Sequence, residues 1–311
     1  MSKVAIIGAG DVGTTIAYTL QLSGLVTEMV LIDINRELAG GQVMDMNHGL
    51  FFVPPITILA GDYSDCKDAD VIIITAGARQ KPGESRLQLV ERNAEICRSI
   101  VDQVMPYNKE AVLLVITNPV DVMTQVVMMQ AGIPRNRILG SGTVLDSARF
   151  RYYLSKRCRV DARNVHAYVI GEHGDSEVFL WSQVRMAGTP LEHFCQGCDH
   201  KCTPSDGEQI VEAVKNSAYH IIEAKGATNY GVSLAVLRIT EALIRDEHSV
   251  LTVSTWLDGA YGLRDICLSV PCIINREGVS RIIETPLNPE EQDSLEESAE
   301  ILRETGKEVT A

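Results

Sequence analysis

Residues 3–13 read KVAIIGAGDVG. Positions 4–7 are apolar throughout, the pattern of a strand covered on both faces. Gly8-Ala9-Gly10-Asp11-Val12-Gly13 follows directly and opens a helix. The first glycine permits a tight turn and the second lets the backbone approach a pyrophosphate. The third lets helix and strand pack closely, with the helix N-terminus facing the anion. Asp33 ends the next apolar run, 20 residues after Gly13. A carboxylate there accepts from both ribose hydroxyls of a dinucleotide and repels a 2′-phosphate, which favours NAD over NADP.

Outward from that unit, short β-branched runs alternate with helical stretches. Strands are expected at 3–7, 29–33, 56–60, 71–75, 112–117 and 137–139, and helices at 12–22, 38–46, 87–105 and 120–130. Such alternation implies a right-handed, doubly wound parallel sheet. Past about residue 143 the character changes. A helix at 145–156 and a strand at 165–170 lead to a loop rich in Gly, Cys and His. Helices at 207–224 and 230–245, strand runs at 250–256 and 266–274, and an acidic helix from Pro289 complete the chain. The expected fold is α/β: an N-terminal Rossmann doubly wound parallel sheet at 1–143 and a C-terminal α+β substrate domain at 144–311, with a cleft between. Residues 290–308 hold eight acids and two bases, which read as a solvated helix face.

Composition narrows the function. The 311 residues are 45% hydrophobic and 22% charged, with a formal charge of −13. That surplus argues against nucleic acid or an anionic membrane face as partner, since both demand positive surface. Charge-free stretches run to about a dozen residues, short of the ~20 a spanning helix needs. No signal-peptide pattern is visible, and eight cysteines without one suggest reduced thiols in a cytoplasm. Cys195, Cys198 and Cys202, with His200 between, resemble a metal-ligand cluster. The spacing is short and no second Cys/His pair follows, so a surface loop is expected and no metal.

Three further segments carry chemistry. Residues 77–86, GARQKPGESR, place two glycines and a proline around polar side chains between a strand and a helix. That suits a mobile lid, and a plain exposed loop has the same composition. Asp146 and Arg149 share a helix face at i, i+3, a spacing that a surface ion pair also has. Gly171-Glu172-His173-Gly174-Asp175 puts a histidine between glycines after a strand, a poor place for a core histidine and a good one for a proton exchanger.

Together these segments resemble the NAD-dependent lactate/malate dehydrogenase family, and most of all its bacterial L-lactate branch. The resemblance spans nearly the whole chain through GAGDVG, GARQKPGESRL, TNPVD, GSGTVLDSARFR, NVHAYVIGEHGDSE and KGATNYG, in order. It implies L-lactate dehydrogenase activity, the last step of lactate fermentation, with hydride transfer between NADH and pyruvate. His173 is then the proton donor to the carbonyl, and Asp146 orients it and stabilises the imidazolium. Arg149 grips the substrate carboxylate, and Arg86, brought in by the loop, polarises the carbonyl. Asn118 assists there and Thr228 lines the pocket. Gly8, Gly10, Val12, Gly13, Asp33, Tyr63, Gly77, Ala78, Asn118 and Ser141 match cofactor-lining positions. The resemblance also suggests a homotetramer. One departure is local: the family commonly reads Pro-Val-Trp-Ser where this chain has Phe179-Leu180-Trp181-Ser182.

The nearest rival within the resemblance is malate dehydrogenase, which usually carries arginine where this chain has Gln80. A neutral amide cannot compensate a second substrate carboxylate, so Gln80 points to pyruvate over oxaloacetate. A broader L-2-hydroxy acid dehydrogenase and a catalytically silent NAD-binding protein are the remaining alternatives. Regulation is suggested by a basic island: residues 149–163 hold six bases and one acid in an otherwise acidic chain. Lys156, Arg157 and Arg159 equally suit a helix C-terminus. Arg151 and His166 match the positions that bind fructose 1,6-bisphosphate in allosteric members.

Overall fold

The computed structural model describes residues 2–78, 83, 85–196 and 204–310; the side chains of Arg86 and Pro204 are outside that description. In chain order the first half is β1 (Lys3–Ile7), α1 (Asp11–Ser23), β2 (Glu28–Ile32), α2 (Arg36–His48), β3 (Thr57–Ala60), β4 (Val71–Ile74), α3 (Arg86–Val104), β5 (Val112–Val115), α4 (Val120–Ala131) and β6 (Ile138–Gly140). All described residues of β4 and β5 are buried, as continuous apolar runs require of central parallel strands. Helix α1 buries Gly13, Ile16, Ala17 and Leu20, an i, i+3, i+4, i+7 stripe, and stops at left-handed Gly24. Helix α3 starts from a capping box in which Ser85 and Gln88 satisfy each other's backbone N–H groups.

The second half contains α5 (Val144–Cys158), β7 (Val165–His166), β8 (Val169–Ile170), β9 (Val178–Phe179), β10 (Arg185–Met186), β11 (Thr189–Pro190), α6 (Leu191–Gln196), α7 (Pro204–Lys225), α8 (Tyr230–Ile244), β12 (Ser249–Asp258), β13 (Arg264–Asn275), β14 (Gly278–Ile282) and α9 (Pro289–Gly306). Among the described residues, one nine-stranded sheet runs β14-β13-β12-β6-β5-β4-β1-β2-β3. Its β3-to-β6 part is parallel and doubly wound, and β12 joins β6 antiparallel through Ser254 and Gly140. The long β12–β13–β14 antiparallel meander therefore continues the same sheet, and one apolar core passes beneath both halves.

Three expectations need correction. The strand expected at 165–170 is two short strands in different sheets, β7 against β10 and β8 against β9. Cys195 is not in an exposed loop but buried in α6, while Cys198, His200 and Cys202 lie outside the described residues. The acidic α9 is not wholly solvated: Glu291 is buried, caps its own helix with Asn288, and accepts from the backbone N–H and hydroxyl of Ser182. Phe179, standing where the family commonly has proline, sits in β9 opposite Val169 and packs edge-on against Phe150 at 5.1 Å. Among the described residues no helix is long and apolar enough to cross a membrane.

Candidate active site

The cofactor-matched residues converge at the carboxyl ends of the parallel strands, the crevice where open α/β sheets bind ligands. Gly8, Gly10, Val12 and Gly13 follow β1 and Asp33 follows β2. Tyr63 sits in the short turn after β3, Gly77 and Ala78 follow β4, Asn118 follows β5, and Ser141 follows β6. The three glycines do different work. Gly8 has φ +116°, and a Cβ on Gly13 would lie 1.9 Å from the Gly8 carbonyl oxygen. Gly10 has nothing within 4 Å of a Cβ position, so the space before it is open to a phosphate. No side chain caps α1, so its first-turn amides face that space as donors. Asp33 accepts from the Ala9 and Asn35 backbone N–H groups at 2.7 and 2.8 Å, which fixes its carboxylate beside the glycine turn. Burial raises the Tyr63 phenol above its ordinary value, with Cys66 and Asp33 adding to the shift. This cradle fits a dinucleotide.

The candidate acid–base group is built from α5 and the loop after β8. Thr143 pins the start of α5 by donating its hydroxyl to Val169 O at 2.5 Å and its N–H to Thr252 O at 3.1 Å. The next loop is held to β13 by paired backbone hydrogen bonds between Gly171 and Ser269. Gly171 has φ +88°, and a Cβ there would meet the Ser298 hydroxyl at 2.8 Å. From these anchors, Asp146 Oδ2 lies 2.6 Å from His173 Nδ1, and Asp146 Oδ1 accepts from Arg149 Nη1 at 2.8 Å. The i, i+3 spacing is thus a buried pair, with the Asp146 side chain only 3% exposed.

Electrostatics follow from this packing. Burial penalises a charged His173, but Asp146 beside it, with Asp121 and Glu177 further off, outweighs that penalty and raises the imidazole to about 9. Burial likewise opposes charge on Asp146, and His173 and Arg149 overcome it, holding the carboxyl below its usual range. The pair is an imidazolium–carboxylate at neutral pH. With Nδ1 engaged, Nε2 is the nitrogen left to exchange a proton.

His173, Asp146, Arg149 and Asn118 line a common cavity of about 270 Å³, walled by Leu89 and Val90 of α3 and by Val214, Ala218 and Ile222 of α7. Thr228 is half-buried in the link between α7 and α8 and is not among that cavity's lining residues. Gln80 lies outside the described residues, and Arg86 is the first residue of α3 with its side chain undescribed. A larger cavity, about 890 Å³, opens between α5 and α7 near Trp181 and Asp206, but it holds no histidine–carboxylate–arginine set. Among the described residues no group of three or more His, Cys, Asp or Glu is placed to hold a metal.

Sequence reasoning missed four residues here. Asp121, 1% exposed, accepts from the backbone N–H of His173 at 2.8 Å and from the Ser269 hydroxyl at 3.0 Å. Its signal was a lone carboxylate in the otherwise apolar first turns of α4. Buried Asn93 accepts from Ala78 N and donates to Asn118 O, tying the strand-end loops together. Lys215 donates to the Asp175 carbonyl at 2.7 Å, and Glu177 is buried in the cavity wall.

In the basic island, Arg157 makes a two-pronged pair with Asp206 and Arg163 pairs with Asp161. Arg151 donates Nε–H to Ala167 O and lies 5.0 Å over the Tyr168 ring, and His166 is exposed.

Comparison with known proteins agrees with this geometry. Residues 2–140 match the profile of the lactate/malate dehydrogenase NAD binding domain, and residues 143–311 that of its alpha/beta C-terminal domain. The chain is 54% identical to an L-lactate dehydrogenase of Acetivibrio thermocellus over 98% of this chain and 96% of the relative. It is 49% identical to L-lactate dehydrogenase 1 of Clostridium acetobutylicum, over 98% and 97%. Among solved structures, a lactate dehydrogenase from a Medee basin deep-sea metagenome library superposes with a TM-score of 0.97 at 42% identity, covering 100% of this chain and 99% of that one. The minor L-lactate dehydrogenase of Enterococcus mundtii gives 0.96 at 40%, covering 99% and 98%. A glycine cradle for a dinucleotide, a buried His–Asp–Arg cluster and full-length likeness coincide in one chain, which belongs to the lactate/malate dehydrogenase family.

Proposed function

We propose that this chain is an NAD-dependent L-lactate dehydrogenase, binding cofactor with residues up to 143 and substrate with those from 144 on. The observation that carries the reading is Asp146, buried and shared between His173 and Arg149. Bound NADH supplies hydride to the carbonyl carbon of pyruvate. His173, charged at neutral pH, gives the carbonyl oxygen its proton and takes it back from lactate. Asp146 holds the ring and stabilises the imidazolium. Arg149 has one amino group on Asp146 and keeps its other donors for the substrate carboxylate. Arg86 polarises the carbonyl with help from Asn118, Gln80 faces the substrate side chain and Thr228 belongs to the substrate pocket, in the roles the family resemblance gives them.

NADH oxidation with pyruvate, 2-oxobutyrate, 2-oxoisocaproate and oxaloacetate tests the reading. Pyruvate is expected to be preferred over oxaloacetate by orders of magnitude, because a second carboxylate would be buried without a partner. No turnover with any 2-oxo acid leaves only a silent NAD-binding protein.

The finer reading is a cytoplasmic homotetramer that binds fructose 1,6-bisphosphate through Arg151 and His166. The described cysteines are free, which suits a reducing compartment. Ile34, Met44, Phe51 and Phe52 stand exposed along and at the ends of α2, apolar side chains that subunit contact would cover. What supports the effector reading is that Arg151 reaches the carbonyl of Ala167, the residue that follows exposed His166.

A further inference from the structure

Glu177 is a buried carboxyl that the reaction above does not use. It is 7% exposed and lines the His173 cavity, and its side chain has no hydrogen bond or ion pair among the described residues. Its neighbours are all held. Glu172 accepts from the Ser176 hydroxyl and backbone N–H, and Asp146 from His173 and Arg149. Asp121 accepts from the His173 backbone and Ser269. With no protein donor on its oxygens among the described residues and the Asp146 carboxylate in the same cavity, burial favours the neutral acid at Glu177.

The charged and titratable groups around it belong to four elements. Helix α5 presents Asp146 and Arg149, and the loop itself presents Glu172, His173 and Asp175. Helix α7 presents Lys215 and Tyr219, both hydrogen-bonded to Asp175. Helix α4 contributes Asp121 behind the His173 backbone, while α3 offers only Leu89 and Val90. Helix α9 meets the loop through the neutral Ser298. Neither Lys215 nor Arg149 is bonded to Glu177.

We propose that Glu177 is a pH-sensitive acid of the substrate cavity, neutral while substrate is bound, whose ionisation weakens the binding of an anionic 2-oxo acid at alkaline pH in addition to the loss of the His173 proton. This rests on the functional reading above. Burial first, then the charge of Asp146, already pushes the Glu177 carboxyl up to about 8. A substrate carboxylate gripped by Arg149 in the same cavity of about 270 Å³ adds a like charge and pushes it further. By linkage, binding then takes up protons at two groups, His173 and Glu177.

The test is binding of oxamate, the amide isostere of pyruvate, to the enzyme–NADH complex from pH 6.5 to 9.5, read by NADH fluorescence. Wild type and Glu177→Gln are expected to agree within about threefold at pH 6.5 and to differ by about tenfold at pH 9, one pH unit above the Glu177 midpoint. The wild-type affinity falls more steeply with pH than the variant's. Proton uptake supplies a second readout. At pH 8.5 an indicator dye should report more protons taken up per bound oxamate by wild type than by Glu177→Gln. Superimposed binding curves, equal proton uptake by the two proteins, or a tenfold weakening of Glu177→Gln at pH 6.5 would each overturn the proposal. Failure of both proteins to bind oxamate at any pH would instead overturn the functional reading, and this one with it.

Discussion

Asp146→Asn keeps the shape of the side chain and removes its charge. In the structure both carboxylate oxygens are committed, one to His173 at 2.6 Å and one to Arg149 at 2.8 Å. Burial alone would push His173 below its ordinary 6.5, and the Asp146 charge and hydrogen bond turn that into a rise to about 9. A net rise of two to three pKa units corresponds to about 3 kcal/mol favouring the imidazolium. Losing the carboxylate withdraws the largest part of that rise while the burial penalty stays, so the variant's imidazole should titrate well below the wild type's. The asparagine amide also presents an N–H toward Nδ1 and favours the wrong tautomer. The two effects together predict a loss of roughly 10²–10⁴-fold in kcat/KM for pyruvate at pH 7.5. The assay is initial rate against pH from 5 to 9.5 at saturating NADH, with NADH affinity measured separately and expected to hold. The variant's midpoint should lie below the wild type's, with part of the rate regained on acidification. Thermal stability follows the same linkage. A histidine raised in the fold stabilises fully below 6.5 and loses that contribution as pH rises through about 9, so the stability gap between the two proteins should narrow across that window. A loss of rate that is the same at every pH would refute the electrostatic account and leave Asp146 a purely structural role.

Other substitutions probe separate parts of the site. His173→Asn should lower kcat by about 10²–10⁴-fold and leave NADH binding intact, and a near-normal rate would sink its assignment as proton donor. Gln80→Arg should move the kcat/KM ratio from pyruvate toward oxaloacetate by orders of magnitude, because only the dicarboxylate pairs with the new cation. An unchanged ratio means that position 80 does not face the substrate side chain. Fructose 1,6-bisphosphate should lower the KM for pyruvate and stabilise the tetramer, more at pH 6 than at pH 8 because a protonated histidine binds phosphate better. Arg151→Gln should remove that response and keep the rate at saturating pyruvate, whereas pyruvate curves that overlay with and without the bisphosphate reduce the basic island to surface charge.

The sequence by itself determined the nucleotide half. Continuous apolar runs, a glycine turn and a strand-end Asp33 are local signals, and they specify parallel strands and a helix N-terminus without reference to distant residues. His173, Asp146 and Arg149 were also legible, since a glycine-flanked histidine and an i, i+3 acid–arginine pair are short-range patterns, though their roles came through resemblance. Only the tertiary structure decided what joins the halves. The pairing of Ser254 with Gly140, which makes β12–β14 continue the parallel sheet, depends on two strands far apart in the chain. The break at 165–170 arises because β7 and β8 find different partners, β10 and β9, and apolar periodicity does not name partners. The same holds at the site. Asp121 reads in sequence as one acid in an apolar helix, and Glu177 as the end of a polar loop. Their work depends on burial and on which donors reach them: Asp121 meets the backbone of His173, and Glu177 meets none among the described residues. Charge in a protein interior is governed by its three-dimensional neighbours, so the electrostatics of this site became readable only once α4, α5, α7 and the His173 loop were packed together.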